Sequence, residues 1–216
     1  MREMYNKNGN SKEIEGTGMI RNVVFDMGNV LINFNQGHFI DRAGVTDPAD
    51  KELLLRELFH SIEWSLMDWG KMTEPEAEAA ILPRLPERLH KVAHDMIFRW
   101  NEPVEPIPGM AKLIADCKAK GMGIYLLSNA SERLYTYFDT IPGHELFEGR
   151  VVSATEKCVK PMPEIYQALL DRYHLKAEEC LFVDDIAINV TGAMNCGLQG
   201  HVFDGDADRL RRRLGM

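Results

Sequence analysis

Apolar and polar positions along the chain follow two different periods, and the changes between them divide it. Met19-Ile-Arg-Asn-Val-Val-Phe25 is a short, β-branched apolar run that stops abruptly at Asp26-Met27-Gly28-Asn29. Such a run predicts a buried parallel strand entering a loop. From about Gln36 to Trp100 apolar residues recur at spacings of three and four, over 50–59, 74–82 and 87–99, with Asp-Pro, Gly and Pro as punctuation. That stretch predicts helices and no strand. Glu102-Pro-Val-Glu-Pro-Ile-Pro-Gly109 then reads as a stiff connector.

Beyond the connector the two signals alternate. A helix over 110–120 stops at Gly121, and a strand over 123–127 runs into Ser128-Asn129. Ser131 is placed to cap a helix over 132–138. A short strand at Val151-Val152, a helix over 164–173 and a strand over 180–183 ending at Asp184-Asp185 come next. A helix over 188–195 closed by Gly197, a strand within 198–203 and a short terminal helix complete the pattern. Alternating βα units predict an α/β fold, a Rossmann-like, doubly wound parallel sheet with helices on both faces. The core then comprises 19–35 and 101–216, an all-helical insertion spans 36–100, and 1–18 is a flexible N-terminal extension.

Composition narrows the function classes. The chain has 216 residues and a formal net charge of −8, and its one Arg-rich run, Arg209-Leu-Arg-Arg-Arg213, falls at the end of a short helix. A nucleic-acid partner is not expected from that balance. No apolar run approaches the roughly 20 residues that span a bilayer, and the polar N-terminus lacks the apolar segment of a signal peptide. Cys117, Cys158, Cys180 and Cys196 form no C-x-x-C pair, so reduced thiols in the cytoplasm are the expectation. His90 and His94 share a helical face without a metalloprotease glutamate between them and read as surface residues. Trp64, Trp69 and Trp100 read as core of the helical insertion. Nothing in the pattern sets an oligomeric state.

Four polar groups interrupt the pattern, each beyond the carboxyl end of an expected strand: Asp26, Ser128, Lys160 and the Asp184-Asp185 pair. In open α/β sheets the ligand crevice lies outside those strand ends, so these distant residues should converge. Three carboxylates brought together repel unless a cation sits among them, and hard oxygen donors suit Mg²⁺. Lys160 adds a compact positive charge, and Ser128 with the backbone N–H groups near Asn129 can hold phosphate oxygens. A carboxylate nucleophile, a metal and such donors are the parts of a phosphoryl-transfer site.

These segments resemble the haloacid dehalogenase superfamily, in particular its phosphatases with a small helical cap. The resemblance rests on Val-Val-Phe-Asp26-Met-Gly-Asn-Val-Leu-Ile, Leu-Leu-Ser128-Asn129-Ala-Ser, Lys160-Pro-Met-Pro-Glu-Ile-Tyr166 and Phe-Val-Asp184-Asp185-Ile-Ala-Ile-Asn189, in the family's order. The stretch Glu63-Trp-Ser-Leu-Met-Asp-Trp-Gly70-Lys-Met-Thr-Glu74 is similar to the family's cap. Glucose-1-phosphatase-like enzymes and the N-terminal phosphatase domain of soluble epoxide hydrolase are similar in the same way. The resemblance implies that Asp26 attacks phosphorus and forms an aspartyl-phosphate. It implies Mg²⁺ on Asp26, the Gly28 carbonyl and Asp185, with Asp184 completing the cluster and Asn189 supporting it. It implies that Ser128 and Asn129 hold phosphoryl oxygens and that Lys160 neutralises charge. The implied substrate is a small phosphorylated metabolite of sugar-phosphate size.

Two positions depart from the family pattern. Gly28 stands where a second aspartate usually serves as acid and base, and Met162 stands where an acidic residue is usual. Asn33 and Asn35, downstream in the same loop, are the candidates to position water instead. A dehalogenase that needs no metal and a catalytically weak, regulatory protein of the same fold remain the alternatives.

Overall fold

The computed structural model describes residues 19–216, so the extension expected over 1–18 lies outside the described residues. Five parallel strands form one sheet: β1 (Asn22–Phe25), β2 (Gly123–Ser128), β3 (Gly149–Val152), β4 (Cys180–Asp184) and β5 (Gln199–Val202). Their order is β3-β2-β1-β4-β5. The chain thus starts in the middle, builds outward to β3, then crosses back to build β4 and β5 on the other side. The expected doubly wound α/β architecture is borne out.

Between β1 and β2 come α1 (Gln36–Arg42), α2 (Pro48–Leu54), α3 (Ile62–Asp68), α4 (Glu74–Ile81), α5 (His90–Arg99) and α6 (Met110–Ala119). A short α7 (Leu134–Tyr137) follows β2, while α8 (Ser153–Glu156) and α9 (Pro163–Arg172) follow β3. Helix α10 (Ala187–Asn195) links β4 to β5, and α11 (Ala207–Arg213) closes the chain. None of the described helices is long and apolar enough to cross a membrane.

Strand alternation makes two cores from one sheet. Val23, Phe25, Ile124, Leu126, Leu181 and Val183 pack with Leu113, Ile114 and Leu210 of α6 and α11. Val24, Leu127, Cys180 and Phe182 pack with Ile165, Leu169 and Val190 of α9 and α10. Each such side chain, fully withdrawn from water, contributes roughly 1.5–3 kcal/mol. Helices α1 to α5 enclose a third cluster of their own, with Phe39, Ile40, Leu54, Leu58, Ile81, Ala93 and Ile97. Arg84 ties them together. Its guanidinium donates to both Glu63 carboxylate oxygens at 2.8 Å, to Glu57 Oε2 at 2.8 Å and to the Ala80 carbonyl at 3.1 Å.

Several elements differ from the sequence expectation for local reasons. Strand β1 begins at Asn22 rather than Met19, whose side chain is exposed. Helices α1 and α3 are additional. Each spans only two turns, and each is started by a cap: Asn35 accepts from the His38 amide and Ser61 from the Trp64 amide. The helix after Ser131 is shortened to α7, with Ser131 instead accepting from the Arg133 amide in a turn. His90 and His94 bind the Leu85 carbonyl and Glu78, contacts within the helical layer.

Met162 proves to be the N-cap of α9, with extended backbone and no side-chain hydrogen bond to the helix amides. A carboxylate there would satisfy one of them. Met162→Asp is therefore expected to raise stability by about 0.5–2 kcal/mol, read as a higher midpoint in urea; an unchanged or lower midpoint would contradict the assignment.

Candidate active site

The site forms where the sheet order reverses, between neighbouring strands β1 and β4. Phe25 is paired with Val183, and the Asp26 amide donates to the Val183 carbonyl at 2.8 Å. Asp26 and Asp184 therefore leave their strands side by side. Lys160 reaches them from the loop before α9, its Nζ 2.8 Å from Asp26 Oδ1 and 2.6 Å from Asp184 Oδ2. The contact to Asp184 is a hydrogen bond, whereas the contact to Asp26 is an ion pair outside hydrogen-bond geometry. Asp184 is wholly buried and fully engaged: it also accepts from the Ile186 amide at 2.8 Å and from Asn189 at 3.2 Å. Asp185 stands beside it, half-buried, accepting from Asn29 at 3.1 Å.

Oxygens of Asp26, Asp184 and Asp185 all lie within 4.8 Å of one another. The electrostatics follow from that crowding. Burial pushes the Asp26 carboxyl up to about 6; Lys160 opposes the rise and Asp184 adds to it. Burial also raises Asp185, with the Asn29 hydrogen bond working against it. Burial disfavours the Lys160 ammonium, but the charges of Asp26 and Asp184 outweigh it, and its pKa stands above the ordinary lysine value.

Ser128 ends β2, is buried, and faces the same cavity as Asp26 and Gly28. Gly28 keeps an ordinary φ; the left-handed residue of this loop is Asn29, at φ 54°. Its side-chain oxygen accepts from the Phe34 amide at 3.0 Å, which closes the loop. Asn129 lines the same cavity, and its side chain also has a structural task. Its amide donates to the Lys160 carbonyl at 3.0 Å and accepts from the Lys160 amide at 2.8 Å, fixing the segment that carries the lysine. Asn33 bonds Glu105 at 3.0 Å and Asn35 caps α1, so both amides are committed to structure.

Above these groups lies a cavity of about 290 Å³. Phe34, Trp64, Met67, Ile97 and Trp100 give it an apolar wall, so two of the three tryptophans read as core also line the site. The third, Trp69, donates its indole N–H to the Lys157 carbonyl at 2.8 Å. The Lys157 ammonium returns to the Gly70 carbonyl at 2.8 Å, and the Ser131 hydroxyl donates to Glu74 at 3.0 Å across the opening. Asp68, Glu74, Arg133 and Tyr137 also line the cavity, and the sequence reading gave none of them a role. The available signal for Asp68 and Glu74 was their place in the stretch that resembles the cap.

A sequence model of the haloacid dehalogenase-like hydrolases matches residues 20–197. The chain belongs to that family, and it is a hydrolase. Among curated proteins it is similar to sesquiterpene phosphatase astK of Aspergillus oryzae, 26% identical over 196 residues, 88% of this chain and 93% of that protein. Among solved structures it is similar to the haloacid dehalogenase family enzyme bt-2542 of Bacteroides thetaiotaomicron in complex with magnesium and inorganic phosphate. That match has a TM-score of 0.68 and 21% identity, and covers 88% of this chain and 98% of the other. It is also similar to L-2-haloacid dehalogenase of Xanthobacter autotrophicus, with a TM-score of 0.63 and 21% identity, covering 84% of this chain and 76% of the other. At these identities the structural matches show a shared fold alone.

The haloacid dehalogenase-like fold leaves its metal question to the side chains, and here they fit a divalent cation. Three carboxylates against one ammonium leave two formal negative charges in the crevice. All the donors are hard oxygens.

The roof depends on Gly70, which sits at φ 65° against the core; a Cβ there would lie 2.0 Å from the Ala154 carbonyl oxygen. Gly70→Ala is expected to lift the α3–α4 turn off α8 and to cost at least about 1–3 kcal/mol. Thermal unfolding checks this, and an unchanged midpoint would contradict it.

Proposed function

We propose that this hydrolase is a Mg²⁺-dependent phosphatase that cleaves a small phosphate monoester through an aspartyl-phosphate on Asp26. The observation that carries the reading is the buried Asp26–Lys160–Asp184 arrangement beside Asp185, beneath a cavity of small-molecule size. Asp26 attacks phosphorus, Lys160 balances charge on the nucleophile and the phosphoryl group, and the Ser128 hydroxyl holds a phosphoryl oxygen. Asp26, the Gly28 carbonyl and Asp185 would hold the ion, with Asp184 orienting Lys160. A bound divalent cation would supply positive charge against the phosphoryl oxygens. Asn129 and Asn189 act through Lys160 and Asp184, which they hold in place.

The acid cluster favours a phosphatase over a metal-free dehalogenase, since displacement of halide from carbon has no use for the excess negative charge. A sugar phosphate is the substrate class implied by resemblance, and the cavity has the volume for one. The wall of Phe34, Trp64, Met67, Ile97 and Trp100 supports a second choice, an ester of a largely apolar alcohol. Similarity to a sesquiterpene phosphatase points the same way. The four free thiols suit the reducing cytoplasm.

The test is phosphate release from a sugar phosphate and from a short prenyl monophosphate, with and without Mg²⁺, by the wild type and Asp26→Asn. Release that needs both Mg²⁺ and Asp26 is expected, and the ester cleaved faster decides between the two substrate classes. Equal activity in the variant, or release without Mg²⁺, would overturn the reading.

A further inference from the structure

The cavity holds a carboxyl that neither the phosphoryl group nor a cation calls for. Asp68 is the last residue of α3, half-buried, and lines the same cavity as Asp26. The end of α3 is pinned to the core at Asp68 and at the next residue: the Ser153 hydroxyl donates to the Asp68 carbonyl, and Trp69 donates to the Lys157 carbonyl. The backbone that carries Asp68 is thus fixed against the core, and its carboxyl lines the cavity beside Glu74 and Ser131.

Cleavage of a phosphate ester leaves charge on the departing oxygen, and a positioned proton donor there is worth about 10²–10⁴-fold. The lining offers few donors. Asp26 is the nucleophile, Lys160 is tied to two carboxylates, and Arg133 does not release a proton. Glu74 already accepts from the Ser131 hydroxyl. The Tyr137 phenol is pushed above its ordinary range, first by burial and then by the charges of Asp68 and Asp26, which makes it too weak an acid. Asp68 differs. Burial, with the charges of Asp26 and Glu74, pushes its carboxyl up to about 8 against the opposing Ser131 amide, which favours the protonated form.

We propose that Asp68 is the acid and then the base of this reaction, supplied from the roof in place of a residue at Gly28. The assignment rests on the phosphatase reading. In the first half, a bond forms between Asp26 and phosphorus as the ester P–O bond breaks, and the Asp68 proton passes to the departing alcohol oxygen. In the second half, a water oxygen bonds to phosphorus as the Asp26–phosphorus bond breaks, and the water's proton returns to Asp68. Asp68 ends as it began. The same placement makes turnover depend on the roof being seated, because α3 carries the proton.

Two aryl esters of similar shape test this: phenyl phosphate, whose leaving group needs a proton, and p-nitrophenyl phosphate, whose leaving group does so far less. In Asp68→Asn, kcat/KM for phenyl phosphate is expected to fall about 10²–10⁴-fold, and that for p-nitrophenyl phosphate by less than roughly tenfold. Loss of the base should also produce a burst of one nitrophenol per active site, followed by slow turnover. Equal losses on the two esters, or no loss, would overturn the proposal. The wild type gives a second measure that needs no variant to fold. Its kcat/KM for the two esters should agree within about tenfold, and a strong preference for the nitrophenyl ester would count against Asp68. Wild-type turnover abolished by Asp26→Asn keeps the phosphatase reading whichever way Asp68 falls. No wild-type turnover on either ester would overturn both.

Discussion

Like charges held close in a buried crevice are the constraint around which this protein is arranged. The reversal of strand order sets β1 beside β4, and Asp26 and Asp184 must leave the sheet together. Isolated carboxylates in such a place would take up protons or force the strands apart. Lys160 prevents that, and its own position is secured by Asn129 on its backbone and by Asp184 at its head. A buried ion pair of this kind contributes little net stability. Its worth lies in keeping a carboxylate charged and aimed at the mouth of the cavity.

The charge balance then decides what can enter. With one ammonium among three acids the crevice remains anionic, a balance that favours a cation among the carboxylates. The roof acts on the same balance. By setting Trp64, Met67 and Trp100 against the site it gives the cavity an apolar wall, and a low-dielectric wall strengthens the charge interactions beside it. It also places Asp68 and Glu74 at the edge, so the roof contributes carboxyl groups as well as apolar surface. The core thus supplies the carboxylates and the ammonium that balances them, and the helical layer supplies the apolar wall and further carboxyl groups.

Much of this was legible in the sequence because strand ends announce themselves. Val-Val-Phe before Asp26 and Leu-Phe-Val before Asp184 are apolar runs broken by charge, and the sheet pairs those two runs directly. Met162 was legible as a departure but not as an N-cap, since the start of α9 was not resolved to the residue. What escaped depended on contacts between distant segments. Nothing near Asn129 in the sequence announces that its side-chain amide bonds the Lys160 backbone at both ends. Ser131 reads like a helix cap until its hydroxyl is found donating to Glu74. Asp68 passed without a role inside the stretch that resembles the cap, because its surroundings come from the loop after β1, from α4 and from the Ser131 turn at once.

Calorimetric titration of Mg²⁺ into the wild type and an Asp185→Ala variant, without substrate, tests the charge argument most directly. Asp185 is the cluster member least engaged by the protein, so its removal leaves the Lys160–Asp184 pair in place. The account predicts one binding event per chain in the wild type and its loss in the variant. Absence of binding in the wild type, or equal binding in both, would contradict it.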